Sequence, residues 1–359
     1  MLSGTYKEDV MIRIGLIGTG ATVSIAHFHA LGYAADPRAE ITAVYDIRAD
    51  AAEKFCSDHH LNARVCGSLE ELIGACDAVD ICTPNFLHCS QAEQAMRAGR
   101  NVLIEKPVGV TQAECQRLYD LSLECGGKQM AGMVYRWVNA VGLAAKITRE
   151  ELGRIYSVVS WAGGRRLADE RIGLEWRMRR ETSGFGALAD FGSHLIDLAD
   201  FIAGQRFRKV SCMLDTVIGT RLNAQGEPAA VENDDLSALI AETSSGLHMM
   251  HTSRVGMDET MINITGEGGI VQVSLRHPDK VLFWKKECPG AYEKAPREYA
   301  AEPETWFESW FVKEIGTFLD VIEGRAEKWP DIAQGLYISR VIEAAGRAAA
   351  AGTCEEVPA

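Results

Sequence analysis

Between residues 12 and 134, short apolar runs alternate with stretches of helical period. The runs "IRIGLI" (12–17), "AEITAVYD" (39–46), "VDIC" (79–82), "NVLI" (101–104) and "QMAGMV" (129–134) each suit one strand buried in a sheet. The segments between them, about 22–35, 49–58, 68–75, 88–98 and 111–125, carry apolar residues at helical spacing. Strands alternating with helices of this length return to one sheet, which commits the chain to βαβ units. The expected fold class is α/β, beginning with a doubly wound parallel sheet.

The first run ends in Gly18-Thr19-Gly20 and opens a helix. Glycines at that turn let backbone amides approach a pyrophosphate at the helix N-terminus. Gly18, Gly20, Ala21 and Thr22 are the expected phosphate contacts, although Val23 occupies the third glycine position of G-x-G-x-x-G. Asp46 ends the second run, 26 residues beyond Gly20, where the usual interval is about 20. A carboxylate there accepts from an adenosine ribose hydroxyl and repels a 2′-phosphate, favouring NAD. Arg48, two residues on, keeps NADP open, because a guanidinium accommodates that phosphate.

At 359 residues the chain exceeds what one core usually holds, so two domains are expected, 1–133 for the dinucleotide and 134–359 as a second unit. The second half reads as helix 138–151, strand 155–161, an Arg/Gly-rich loop 163–185 and helix 186–204. Strands follow near 207–219, 234–243, 246–255, 260–266 and 269–275, with "TGEGG" as a hairpin turn. Helices at about 305–324 and 331–350 close the chain, and the last has room to pack back on the first domain.

A net charge of −13 disfavours nucleic acid and anionic membrane as partners. Against that background Arg165, Arg166, Arg177, Arg179 and Arg180 form a local basic patch, suited to a substrate, a loop contact or a subunit interface. The ten cysteines contain no C-x-x-C and sit mostly among apolar neighbours, as small hydrophobes in a reducing cytoplasm do. The N-terminus lacks an apolar signal core, and no apolar run approaches the roughly 18 residues of a membrane span. "HFH" (27–29) and "SDHHL" (57–61) have no partners at ligand spacing, so no metal is expected.

Two stretches carry chemistry. "ALADFGSHLIDLAD" (187–200) sets Asp190, His194 and Asp197 at helical spacing beside an apolar stripe, and 187–204 holds three aspartates without a Lys or Arg. "EKP" (105–107) places Lys106 just past a buried strand end, where ligands of open α/β sheets bind. Desolvation there would lower the lysine pKa toward neutrality.

"GLIGTG", Asp46, "TPNFLH" (83–88), "EKP" and "GFGALADFGSHLIDL" (184–198), in this order, resemble the Gfo/Idh/MocA oxidoreductase family. The resemblance implies a Rossmann domain followed by an α/β domain with a large, mostly antiparallel open sheet, often a homo-oligomer interface. It implies NAD(P)-dependent dehydrogenation of a sugar, glycoside or cyclitol, with Lys106, Asp190 and His194 catalytic. Thr83, Pro84, Asn85 and His88 match the loop bordering the nicotinamide ribose, and Glu105 and Pro107 flank the lysine, with the 106–107 peptide a candidate for cis. Tyr135, Arg136 and Asn139 match substrate contacts, as do Trp176 and Arg177 in a closing loop; Arg166 joins them from the basic patch. His27 and His29 receive no role, because the first turn departs from the family spacing.

On this reading Lys106 is the cation that the 187–204 helix lacks. His194, with a pKa near working pH, would take the hydroxyl proton; Lys106 would donate to the developing oxyanion, and Asp190 would orient. Asp197 is assigned to structural neighbours. Oxidation at C3 of a glucoside is the favoured variant. An NAD-recycling lytic glycosidase and a non-catalytic NAD-sensing regulator are the rival readings.

Overall fold

The computed structural model describes residues 11–20, 24–288, 291–304 and 306–358. Six strands form the first sheet: β1 (Ile12–Ile17), β2 (Ala39–Tyr45), β3 (Arg64–Val65), β4 (Ala78–Ile81), β5 (Asn101–Glu105) and β6 (Gln129–Gly132). Their order is β3-β2-β1-β4-β5-β6, all parallel. Helices α1 (Ala26–Ala34), α2 (Ala49–Asp58), α3 (Leu69–Ala75), α4 (Asn85–Arg97) and α5 (Gln112–Glu124) make the crossovers. Helices covering both faces leave no strand face wet, so Ile14, Leu16, Val79, Ile81, Leu103 and Ile104 are fully buried. The chain order reverses between β1 and β4, and the crevice at that switch lies beyond the carboxyl ends carrying Gly18, Cys82 and Lys106.

The second sheet holds β7 (Ile155–Gly163), β8 (Phe207–Asp215), β9 (Leu236–Thr243), β10 (Leu247–Ser253), β11 (Glu259–Gly266), β12 (Gly269–Ser274) and β13 (Lys280–Cys288). Its central order is β13-β12-β11-β7-β10-β9-β8, extended by short strands to ten in all. Every pairing among the described residues is antiparallel except β7 with β10, whose register sets Gly163 opposite Ser253. Strands alternate buried and exposed residues, so one face packs on α6 (Asn139–Glu151), α7 (Ala187–Asp190) and α8 (Gly192–Ala203). The other face is open and apolar, with Val159, Met213, Ile240, Leu247 and Met249 all exposed.

The single helix expected over 186–204 is two helices, broken at Phe191. Asp234 of the loop before β9 fixes the start of α7, accepting from the Gly186 amide at 2.6 Å and the Leu188 amide at 2.8 Å. Strand β13 and its partners Ala291–Tyr292 and Arg297–Ala300 were not anticipated, because lysines at 280, 285 and 286 mask the apolar alternation. Helix α9 (Trp306–Ile322) packs on α1, and α10 (Ile332–Ala351) packs on α5 and β8. The final helices thus clasp the first sheet's outer layer. No helix among the described residues is long and apolar enough to cross a membrane.

Candidate active site

A cavity of about 660 Å³ runs from the first glycine turn to the end of α7. Its size falls within the roughly 300–1,000 Å³ of small-molecule pockets. Gly18 and Gly20 lie at its dinucleotide end with φ of +88° and +67°. A Cβ on Gly18 would stand 2.8 Å from the Thr83 amide nitrogen, and one on Gly20 would stand 2.6 Å from Ser24 Cβ. The turn therefore requires glycine and keeps its backbone bare toward the cavity. Asp46 Oδ2 accepts from the Thr19 amide at 3.0 Å and the Gly20 amide at 3.2 Å, so the acid sits against the turn. Arg48 lines the same end. Ala21 and Thr22 lie outside the described residues. A glycine turn without side chains toward the cavity, an acid just past β2 and a space of this size fit a dinucleotide.

Thr83, Pro84, Asn85 and His88 begin α4 at the middle of the cavity. His88 is buried and bridges two loops, one ring nitrogen lying 2.7 Å from the Thr83 carbonyl and the other 2.8 Å from the Pro107 carbonyl. Its ring thus ties the "TPN" loop to the "EKP" loop. The Lys106–Pro107 peptide is cis. Glu105 turns away from the opening, its Oε2 accepting from the Lys106 amide at 3.0 Å and its Oε1 lying 3.3 Å from His29 Nε2.

Lys106 meets Asp190 at the cavity's far end, Nζ donating to Oδ1 at 2.8 Å and to the Asp190 carbonyl at 3.2 Å. Arg254 approaches the same carboxylate from the opposite side, Nε to Oδ2 at 3.7 Å. Burial pushes against charge on both Lys106 and Asp190, yet the Asp190 carboxylate holds the Lys106 ammonium above its usual pKa. Lys106 and Arg254 in turn hold Asp190 well below the ordinary carboxylate range. The expectation of a near-neutral lysine is corrected: desolvation was read without its partner charge.

His194, one turn beyond Asp190, stacks on Tyr135 with ring centroids 4.0 Å apart. Its burial and the nearby Lys106 charge depress its pKa well below 6.5. The expectation of a value near working pH is therefore corrected, and the ring is a neutral imidazole. Neither His194 nor Tyr135 lines the open cavity; they lie behind Lys106 and Asp190 and feel both charges.

The 163–185 loop closes the cavity with Arg166, Glu175, Trp176 and Arg177. Both guanidiniums pair with Glu175, Arg166 Nη1 donating to it at 3.1 Å. Trp176 reaches across to Phe86 of α4, edge to face at 6.5 Å.

Two expected substrate contacts lie elsewhere. Arg136 forms a bidentate pair with Asp197, at 2.7 and 2.6 Å, because the turn before α6 aims it at α8. Asn139 donates to the Glu302 carbonyl at 2.9 Å and accepts from Lys313 at 2.7 Å, on the side of α9. Both serve packing between helices. Asp197 is structural as expected, with Gln334 donating to it at 2.9 Å.

His29 also has partners that sequence spacing hid. Its Nδ1 lies 2.8 Å from Asp80, and its Nε2 faces Glu105 and, at 4.0 Å, Glu314. Against the burial penalty, Asp80 and the neighbouring Cys82 raise its pKa well above 6.5, so the imidazolium supplies the cluster's cation. His27 instead pairs with His59, at 2.6 Å between ring nitrogens. Arg254 is the main site residue that sequence reading missed. It is a lone cation just past the apolar alternation of β10, with no motif around it.

Residues 12–132 match the model of the Gfo/Idh/MocA oxidoreductase family, NAD-binding Rossmann fold, and residues 142–272 match the family's C-terminal domain. Levoglucosan dehydrogenase of Pseudarthrobacter phenanthrenivorans is 30% identical over 257 residues, 62% of this chain and 62% of that protein. Glucose-6-phosphate 3-dehydrogenase of Bacillus subtilis is 30% identical over 222 residues, 60% of this chain and 61% of the relative. The matched region thus spans about three fifths of these relatives' length. In structure, a levoglucosan dehydrogenase solved with NADH superposes with a TM-score of 0.90 at 23% identity, covering 97% of this chain and 100% of the other.

Proposed function

This chain belongs to the Gfo/Idh/MocA oxidoreductase family, and on that premise we propose that it oxidises a ring secondary alcohol of a sugar, glycoside or cyclitol, with NAD as cofactor. The observation that carries this reading is the Lys106–Asp190 pair at the far end of a cavity whose other end is a bare glycine turn. C3 of a glucoside is the carbon we favour, in keeping with the relative named for 3-dehydrogenation of glucose 6-phosphate.

Bound NAD supplies the carbon that accepts the hydride. The chain's own groups do the rest. Asp46 accepts hydrogen bonds from the adenosine ribose, and Gly18 and Gly20 leave room for the pyrophosphate. Thr83, Pro84 and Asn85 border the nicotinamide half, held in place by His88. The Lys106 ammonium donates to the substrate hydroxyl oxygen and stabilises the negative charge that grows there as the hydroxyl proton leaves. The hydroxyl proton passes to Lys106 as the ammonium gives one of its own to the neutral His194 behind it, and departure of the hydride leaves a carbonyl. Asp190 orients Lys106, while Trp176, Arg166 and Arg177 cover the sugar.

The boundary near residue 133 separates the cofactor half from the substrate half. The exposed Met213, Ile240, Leu247 and Met249 make the open face of the second sheet a homo-oligomer contact. The free thiols, most of them buried, suit a reducing cytoplasm.

A panel of hexoses, glycosides and inositols, each assayed with NAD and NADP, tests the proposal. NADH formation with at least one sugar or cyclitol is expected. Glycoside cleavage without net NADH would favour the lytic reading instead, and failure to bind either dinucleotide would overturn both.

A further inference from the structure

Four cations line the substrate end of the cavity: Lys106, Arg166, Arg177 and Arg254. Asp190 is shared by Lys106 and Arg254, and Glu175 is shared by Arg166 and Arg177. Behind the lining, Asp234 and Asp235 also act on Arg254, and Glu105 is divided between His29 and Lys106.

Arg254 is the most deeply buried of these guanidiniums. Its side chain is 5% exposed, and its Nε makes no hydrogen bond, the Asp190 oxygen lying at 3.7 Å. One terminal nitrogen donates to the Arg177 carbonyl at 2.9 Å. A buried guanidinium with an unmet donor needs an acceptor, and burial already pulls its pKa down. The chain as a whole carries −13, so three arginines on one cavity wall stand out against its composition. Oxidised nicotinamide would add one more positive charge beside them.

Resting on the dehydrogenase reading above, we propose that the sugar this site takes carries an anionic substituent, a carboxylate or a phosphate, seated among Arg166, Arg177 and Arg254. Guanidiniums present paired donors in a plane, which match both oxyanions. The anion accepts from guanidinium donors that converge on the cavity's closed end. It also fixes the ring so that one hydroxyl faces Lys106.

Three probes test this: D-glucuronate, D-glucose 6-phosphate and neutral methyl glucoside. Each is assayed for NAD reduction and titrated by calorimetry into the NADH-loaded protein. At least one anion is expected to exceed methyl glucoside by about tenfold or more in kcat/KM and in affinity, as for a charged hydrogen bond. Which anion prevails separates carboxylate from phosphate. Arg166→Gln and Arg177→Gln should collapse the anion-to-neutral ratio, and Lys54→Gln on the distant surface of α2 should leave it unchanged. Methyl glucoside bound and oxidised as well as both anions would sink the inference and leave the dehydrogenase reading standing. Selective anion binding without NAD reduction would do the reverse.

Discussion

Lys106 and Asp190 stand 84 residues apart in the chain and 2.8 Å apart in space. One comes from the carboxyl end of β5, the other from the last residue of α7. With Arg254 on its far side, Asp190 holds a guanidinium and an ammonium at one carboxylate. Lys106→Met removes the donor aimed at the substrate oxygen and leaves Asp190 with Arg254. Steady-state NADH formation should fall by about 10²–10³ in kcat, the usual loss for one oxyanion donor. Retention of the parent kcat would remove Lys106 from the chemistry.

The pH profile follows from two displaced titrations. A base must be unprotonated to act, and His194 has its pKa depressed well below 6.5, so it stays competent into mild acid. Lys106 must stay protonated to donate, and its pKa lies above 10.5. The kcat profile should therefore be flat through neutrality, with its acid limb below pH 6.5. An acid limb centred at or above that value would contradict the role given to His194.

Asp46 is the residue proposed to favour NAD. Asp46→Ser removes the charged acceptor for the ribose hydroxyls and the repulsion toward a 2′-phosphate. KM for NAD should rise by about tenfold or more, with kcat little changed and Arg48 free to support NADP. An unaltered NAD-to-NADP ratio of kcat/KM would refute this assignment.

Glu314 of α9 is fully buried beside Glu105 and His29, and both of its oxygens lack a hydrogen-bond partner. Desolvation and the neighbouring Glu105 raise its pKa well above 4.5. The folded chain then binds a proton that the unfolded chain has released, so this contribution is complete below pH 4.5 and lost as pH climbs through the raised value. His29, raised above 6.5, has the same sign: its contribution is complete below 6.5 and lost on the alkaline side. Glu314→Gln removes one of the two titrations and should flatten the fall of Tm between about pH 5 and 9. A Tm profile parallel to that of the parent would show that Glu314 is ionised in the folded state.

Much of the first sheet was legible because parallel strands are buried on both faces and read as apolar runs. β4 and β5 fall within a residue of the 79–82 and 101–104 expectations. Lys106 and Asp190 were legible because each sits in a dense local pattern. Arg136 and Asn139 were misread because spacing locates a residue in the chain but not the direction of its side chain. A turn and one carboxylate at Asp197 redirected Arg136. Arg254 was invisible for the opposite reason: its place comes from the register of β10 beside β7, a pairing between distant segments.

The parallel pairing of β7 with β10 releases the chain after Gly163 and after Ser253 on one edge, side by side. The covering loop and Arg254 are therefore neighbours that share no strand with the hydride machinery on β5 and α7. On the function proposed above, residues 164–185 can be lengthened or recharged while Lys106 and Asp190 stay untouched. For engineering, that edge is the splice point: new substrates are to be sought in the loop, and Lys106 with its carboxylate left alone.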